Sequence, residues 1–264
     1  PVSDDAVTDA PVAPPTQKAI FGYGAAASKV SLTNLVSSSG VVAADTTGVG
    51  TARGDLAAAG YGSDKAIFGY GRTGSSLSLT NLVNNSGVVA ADVSGVGTAR
   101  YYLAAAGYGG DKAIFGYGTT GSYSSLTNLV SSSGVVATDT TGVGTARGYV
   151  AGVSYGGDKA LFAYGYTGSN VSMSNLISNL GVVSADVTGV GTARGYLAAA
   201  SYDTDKAIFG YGYNGSANLS MSNLVSNNGI VASDVSGVGT ARRQLGAAGY
   251  GGDKAIFAYG ASSG

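Results

Sequence analysis

Side chains able to do acid–base or ligand chemistry fall into a few recurring sets in this chain. All fifteen acids are aspartates, and two sets of five stand at fixed places. Asp45, Asp92, Asp139, Asp186 and Asp234 come just ahead of a Gly-Val-Gly-Thr-Ala-Arg phrase, where the expected role is capping a turn. Asp64, Asp111, Asp158, Asp205 and Asp253 each precede a lysine and are expected to complete a tight turn. Paired carboxylates can serve as acid and base in glycoside hydrolysis, and a ring of them can gather around Ca²⁺. The Asp-x-Asp-x-Asp-Gly spacing of a Ca²⁺ loop is nowhere present. With no His and no Cys there is no Ser-His-Asp triad, no cysteine nucleophile and no zinc site of the common kind. Gly-x-Gly triplets are frequent, but none joins a strand to a helix as a phosphate loop does. These residues predict a protein that is not an enzyme, uses no cofactor and holds no metal.

The elements that position these sets are written as a repeat. Lys18, Lys65, Lys112, Lys159, Lys206 and Lys254 recur every 47 residues, with one interval of 48, and Arg53, Arg100, Arg147, Arg194 and Arg242 keep the same register. A period of that size signals a propeller, a solenoid or an array, because one such unit cannot bury its own apolar face. Only 11% of residues are charged, against about 25% in ordinary domains. No apolar run approaches the roughly 18 residues of a spanning helix, and the Ser-, Gly- and Asn-rich text lacks a barrel's aromatic girdles, so no membrane insertion is expected. The net charge of −1 leaves no basic stripe for nucleic acid. Residues 1–17 hold all four prolines, three of them between Pro11 and Pro15, and no apolar signal segment; they read as an extended arm or linker ahead of a single domain over 18–264.

One unit parses into four short strands. A small apolar run (Leu103-Ala-Ala-Ala106) ends in Tyr-Gly-Gly-Asp turn chemistry, and Lys112-Ala-Ile-Phe-Gly-Tyr-Gly118 follows as a β-prone segment. Ser125 to Val130 and Val135 to Thr140 supply two more, with Gly-bearing turns between. We label these positions A, B, C and D. The arginine, the short A strand and an aromatic B strand closing on glycine resemble a kelch-type repeat over about residues 18–260. Here the glycine doublet is split as Gly-Tyr-Gly and the outer-strand Trp is replaced near Val135 and Val136. The phrase TNLVSSSGVVATDTTGVGTAR also resembles repeats in structural proteins of marine bacteriophages.

The resemblance implies an all-β fold, a β-propeller of four-stranded antiparallel blades. The text begins at a B strand (18–24) and ends just after another (254–260), which predicts five blades, the fifth shared between the two chain ends. One B strand is then surplus, and its unpaired edge offers a route to a homo-oligomer. Leu-Ala-Ala-Ala strands suit a crowded axis, and Phe21, Phe68, Phe115, Phe162, Phe209 and Phe257 are expected between blades. The five repeat arginines are expected to be structural, bridging neighbouring blades.

Differences between copies concentrate after the arginine and in the B–C loop, two connections that leave an antiparallel blade on one face. That face gathers Asp55, Arg72, Tyr101, Tyr102, Tyr123, Tyr149, Tyr166, Asn170, Tyr196, Tyr213, Asn214 and Arg243, the expected ligand or partner contacts. Tyr, Asn, Ser and Gly favour adaptable polar contacts, suited to other virion or assembly subunits or to cell-surface glycans; drift on exposed loops explains the same variation. The expectation is a non-catalytic structural or adhesive protein, virion-borne or extracellular, with a lectin-like module as the alternative.

Overall fold

The computed structural model describes residues 18–262; the expected arm at 1–17 lies outside them. These residues form sixteen strands and no helix. The first sheet pairs β1 (Ala19–Ala25) with β2 (Lys29–Val36). Three-stranded sheets follow in A-B-C order: β3 (Ala57–Tyr61), β4 (Lys65–Gly69) and β5 (Thr80–Val83); then β6 (Ala104–Tyr108), β7 (Lys112–Gly116) and β8 (Thr127–Val130). The next two comprise β9 (Ala151–Tyr155), β10 (Lys159–Tyr166) and β11 (Asn170–Ile177), and β12 (Ala198–Tyr202), β13 (Lys206–Gly210) and β14 (Ser222–Val225). A last sheet pairs β15 (Gly246–Tyr250) with β16 (Lys254–Ala258), and all pairing is antiparallel.

The fourth strand of each unit shrinks to two isolated bridges. Val83 pairs with Val89 and Thr80 with Val93, so two residues of β5 (Asn81 and Leu82) face three of the returning segment (Ala90 to Asp92). That mismatch is a bulge, and a bulge breaks a continuous ladder. The bulged segment bonds through side chains instead: Asn81 Nδ2 donates to the Ala90 carbonyl at 3.0 Å and to Asp92 at 2.9 Å.

The tyrosine inside Gly/Ala-Tyr-Gly marks where the regular B-strand ladder breaks, by ending the strand in four copies and by a register shift within β1 and β10. Tyr23, Tyr70, Tyr117, Tyr164, Tyr211 and Tyr259 all adopt left-handed backbone, with φ from 62° to 65°. That conformation costs a bulky residue roughly 1–2 kcal/mol and persists only where the surroundings hold it. Here the Tyr70 carbonyl accepts from Arg53 Nε at 2.8 Å and its hydroxyl donates to the Val96 carbonyl at 3.1 Å. The Tyr70 ring is fully buried.

Sheet-to-sheet packing follows one rule. The tyrosine of each sheet meets the phenylalanine of the next edge-on or tilted: Tyr23–Phe68, Tyr70–Phe115, Tyr117–Phe162, Tyr164–Phe209 and Tyr211–Phe257. Tyr259 of the last sheet then meets Phe21 of the first, centroids 5.5 Å apart. The buried clusters straddle consecutive sheets in the same way, one of them joining Ile67 and Tyr70 to Leu103 and Phe115. Leu56–Ala58, Leu103–Ala105, Val150–Gly152, Leu197–Ala199 and Leu245–Ala247 line one axial space, joined by Ile20–Gly22.

The expected blade shared between the chain ends is not formed. β1 bonds to β2 and β15 to β16, and no register among the described residues joins these two sheets. Both B strands are seated in sheets of their own, and among the described residues each keeps one unpaired edge. The reason is the aromatic junction itself: Phe21 and Phe257 each receive a different tyrosine, so each needs a sheet position of its own. Among the described residues the sheets number six, with two or three strands each.

Candidate functional site

The two variable connections do meet. Bridges join the residue after each arginine to the B–C loop: Gly54 to Arg72, Tyr101 to Thr119, Gly148 to Tyr166, Gly195 to Tyr213 and Arg243 to Ala261. The residue one step further on turns towards the axis with left-handed backbone in every copy: Asp55, Tyr102, Tyr149, Tyr196 and Gln244, with φ from 54° to 59°. These positions are linked directly by backbone. The Tyr102 amide donates to Asp55, Tyr149 to Tyr102 and Gln244 to Tyr196, each at 2.9 Å.

Their side chains converge just ahead of the strands that line the axial space. Tyr102 and Tyr149 stand 4.0 Å apart between ring centroids, as do Tyr149 and Tyr196, and Tyr102 reaches Tyr196 at 5.9 Å. Around this trio lies a second tier. Tyr101 packs on Tyr102, Tyr166 on Tyr149, and Tyr123 on Tyr166. Arg72 lies over Tyr101 at 4.3 Å, and Arg243 over Tyr213 at 4.8 Å and Tyr196 at 6.0 Å.

The ion pairs of the patch are concentrated on one side. Arg72 Nε donates to Asp55 at 2.7 Å, its Nη2 donates to the Tyr102 hydroxyl at 2.7 Å, and Lys29 approaches Asp55 at 3.7 Å. Burial opposes the charge on Arg72, but the hydrogen bond and charge of Asp55 outweigh it and raise the pKa. Burial, with the Asp55 charge added, pushes the Tyr102 phenol well above its ordinary value. Burial does the same for Tyr149, helped by its hydrogen bond with Tyr196. Both phenols therefore stay protonated at neutral pH.

Ten of the sequence-predicted contacts therefore join one aromatic and ionic patch: Asp55, Arg72, Tyr101, Tyr102, Tyr123, Tyr149, Tyr166, Tyr196, Tyr213 and Arg243. Asn170 pairs with Tyr166 next to the turn of its hairpin. Asn214 is turned inward on its own loop, accepting from the Ser216 and Ala217 amides at 2.9 and 2.8 Å. Gln244 and Lys29 belong to the patch and are absent from the predicted set. Gln244 was recoverable from the sequence, since it holds the same repeat position as Asp55 and Tyr102.

The repeat arginines and aspartates build a clamp beneath this face. Arg100 is completely buried. Its Nε donates to the Tyr117 carbonyl at 2.9 Å, its Nη1 to the Thr98 carbonyl at 3.1 Å, and its Nη2 to Asn128 Oδ1. The Thr98 amide and hydroxyl donate to Asp139 at 2.9 and 2.6 Å. Arg53, Arg147 and Arg194 repeat the arrangement. The bridge to the neighbouring sheet is a π face: the five guanidiniums, Arg242 included, lie over Tyr23, Tyr70, Tyr117, Tyr164 and Tyr211 of the preceding sheet at 4.2–4.8 Å. Asp139 thus ties together segments far apart in sequence, where a local turn cap was expected. No group of three or more potential metal ligands stands together among the described residues. No protein-family model matches the chain, and no curated protein matches it.

Proposed function

We propose that this chain is a non-catalytic adhesive module, a β-propeller of six blade positions whose tyrosine-rich face makes the contact. The closed sequence of Tyr–Phe junctions supports the propeller reading. The observation that carries the function is the two-tier patch. Its inner trio of Tyr102, Tyr149 and Tyr196 is committed to packing on itself. That leaves Tyr101, Tyr123, Tyr166 and Tyr213, with Arg72 and Arg243, as half-buried groups at its edge. Aromatic faces with hydroxyl and guanidinium donors suit polar surfaces, because rings stack on C–H faces while donors reach hydroxyls. Proposed partners are neighbouring subunits of a virion or tail fibre, or glycans at a cell surface, in a virion-borne or extracellular setting.

The test is binding of the purified chain to a glycan array and to intact host cells, beside a Tyr123→Ala/Tyr166→Ala variant. Loss of binding by about tenfold or more at unchanged melting temperature supports the patch as the contact. Equal binding by both proteins, or turnover of a bound glycan, rejects the reading.

A further inference from the structure

Among the described residues, no strand pairs with the inner edge of the first sheet. In the five other sheets an A strand covers the inner edge of the B strand, as β3 covers β4 from Ala57–Gly69 to Tyr61–Lys65. β1 pairs with β2 alone. Its inner edge, Ile20 to Gly22, opens on the axial space beside the A strands of the other five sheets. Ile67 and Ile114 are fully buried, whereas Ile20 at the same repeat position is only partly so.

The polar half of the clamp stands ready at the same place. Asn34 Nδ2 donates to Asp45 at 2.8 Å and to the Ala43 carbonyl at 3.1 Å, matching the geometry of Asn128 with Asp139 and Ala137. Asp139 also receives a threonine and faces Arg100 at 3.4 Å. Among the described residues, Asn34 is the one hydrogen-bond donor to Asp45. The tyrosine ring that would carry the arginine is bare too. Tyr70, under Arg100, is 0% exposed, while Tyr259 is 52% exposed and has no guanidinium over it among the described residues. Carboxylate, amide oxygen and aromatic face are thus arranged as they are around Arg53, Arg100, Arg147 and Arg194.

We propose that this gap accepts an extended strand donated by a separate polypeptide, carrying Thr-Ala-Arg and, three residues after the arginine, a run of small apolar residues. The arginine would stack on Tyr259 and bond to Asn34, the threonine would cap Asp45, and the small residues would pair with β1 by strand addition. Two other occupants fit less well. A second copy has each of its own A strands paired in its own sheets. Residues 1–17 contain no arginine or lysine and four prolines, so they cannot supply the cation and would interrupt the ladder.

A fluorescent peptide with the sequence of residues Gly191 to Tyr202 tests this, titrated against the full chain by anisotropy with molar mass measured in parallel. The expected result is saturable one-to-one binding. Arg194→Ala in the peptide, or Asp45→Asn in the chain, each weakens it about tenfold, the worth of one charge-assisted hydrogen bond. Absence of binding, or binding indifferent to both changes, overturns the proposal. With no binding, a doubled molar mass would assign the gap to a second copy, and an unchanged one would leave it to the chain's own N-terminal segment; either outcome also overturns it.

Discussion

The Tyr259 ring stands edge-on to Phe21, at an interplanar angle of 80° and a centroid distance of 5.5 Å, although the two residues come from opposite ends of the described chain. Tyr117 and Phe162, in adjacent repeats, meet at the same angle and distance. The last junction of the circuit is therefore built like an internal one. What differs is its support: Arg147 covers Tyr117, and nothing equivalent covers Tyr259.

That difference predicts unequal worth for the repeat arginines. Arg100→Ala removes a fully buried cation and strands Asn128 Oδ1, the Thr98 carbonyl and Asp139. Urea unfolding should show a loss of about 3–5 kcal/mol. Arg242 is only half-buried, donates to the Tyr259 carbonyl alone, and has a buried Nε with no partner. Arg242→Ala should cost about 1 kcal/mol or less. Equal losses would mean that the clamp is not what makes these arginines matter.

Acid should weaken the fold through the clamp aspartates. Burial alone would raise the pKa values of Asp92, Asp139, Asp186 and Asp234, but the threonine and asparagine hydrogen bonds and the arginine charge outweigh it and lower each from 3.8. With the folded pKa depressed, the unfolded chain takes up protons first as pH falls. The stability they contribute is complete above the ordinary carboxylate range and is lost as pH drops through it and below. Asp139→Asn should flatten the acid limb of a melting-temperature profile relative to wild type. Parallel profiles would contradict this.

Alkali should act through the buried tyrosines. Burial pushes the Tyr70 phenol up to about 12, against the opposing pull of Arg100. A raised folded pKa leaves the folded tyrosine protonated where the unfolded one has ionised, so stability is full below pH 10 and falls as pH rises through the folded value. Phenolate absorbance should therefore appear late and together with unfolding, not as a gradual titration of accessible tyrosines.

The strand text was legible. Lys-Ala-Ile-Phe and Thr-Asn-Leu-Val each form the predicted strand wherever they occur among the described residues, because alternation and flanking glycines already fix the local choice. The common face was legible as well, since antiparallel order alone puts Arg72 beside Gly54. The number of positions was not. Residues 18–24 and 254–260 carry nearly the same text, and whether they share one place depends on the angle between sheets, set by how deeply Phe21 and Phe257 seat in their neighbours. The bulge that reduces the fourth strand to two bridges was equally hidden, because Val88-Val89-Ala90 reads as an ordinary strand until its partner's length is counted. The open clamp at Asp45 was invisible for a related reason: the residue is identical to its four counterparts, and only its missing neighbour sets it apart.

The inner tyrosine trio should behave as structure and the outer tier as contact. Tyr149→Ala removes two ring contacts at 4.0 Å and should lower stability by about 1–3 kcal/mol. Tyr123 sits at the periphery of the patch, and Tyr123→Ala should stay within about 0.5 kcal/mol of wild type. The reverse order would move the contact surface inward, on to the trio.

Coupling across the chain ends bears most directly on the circuit of six sheets. A double-mutant cycle on Tyr259 and Phe21, run beside one on Tyr211 and Phe257, measures whether both rings are seated at once. The account predicts about 0.5–1.5 kcal/mol of coupling in each cycle, the value of an edge-on aromatic pair. Additive effects at Tyr259 and Phe21, with coupling kept at Tyr211 and Phe257, would show an open array or a single place shared by the two ends, and would contradict the closed circuit.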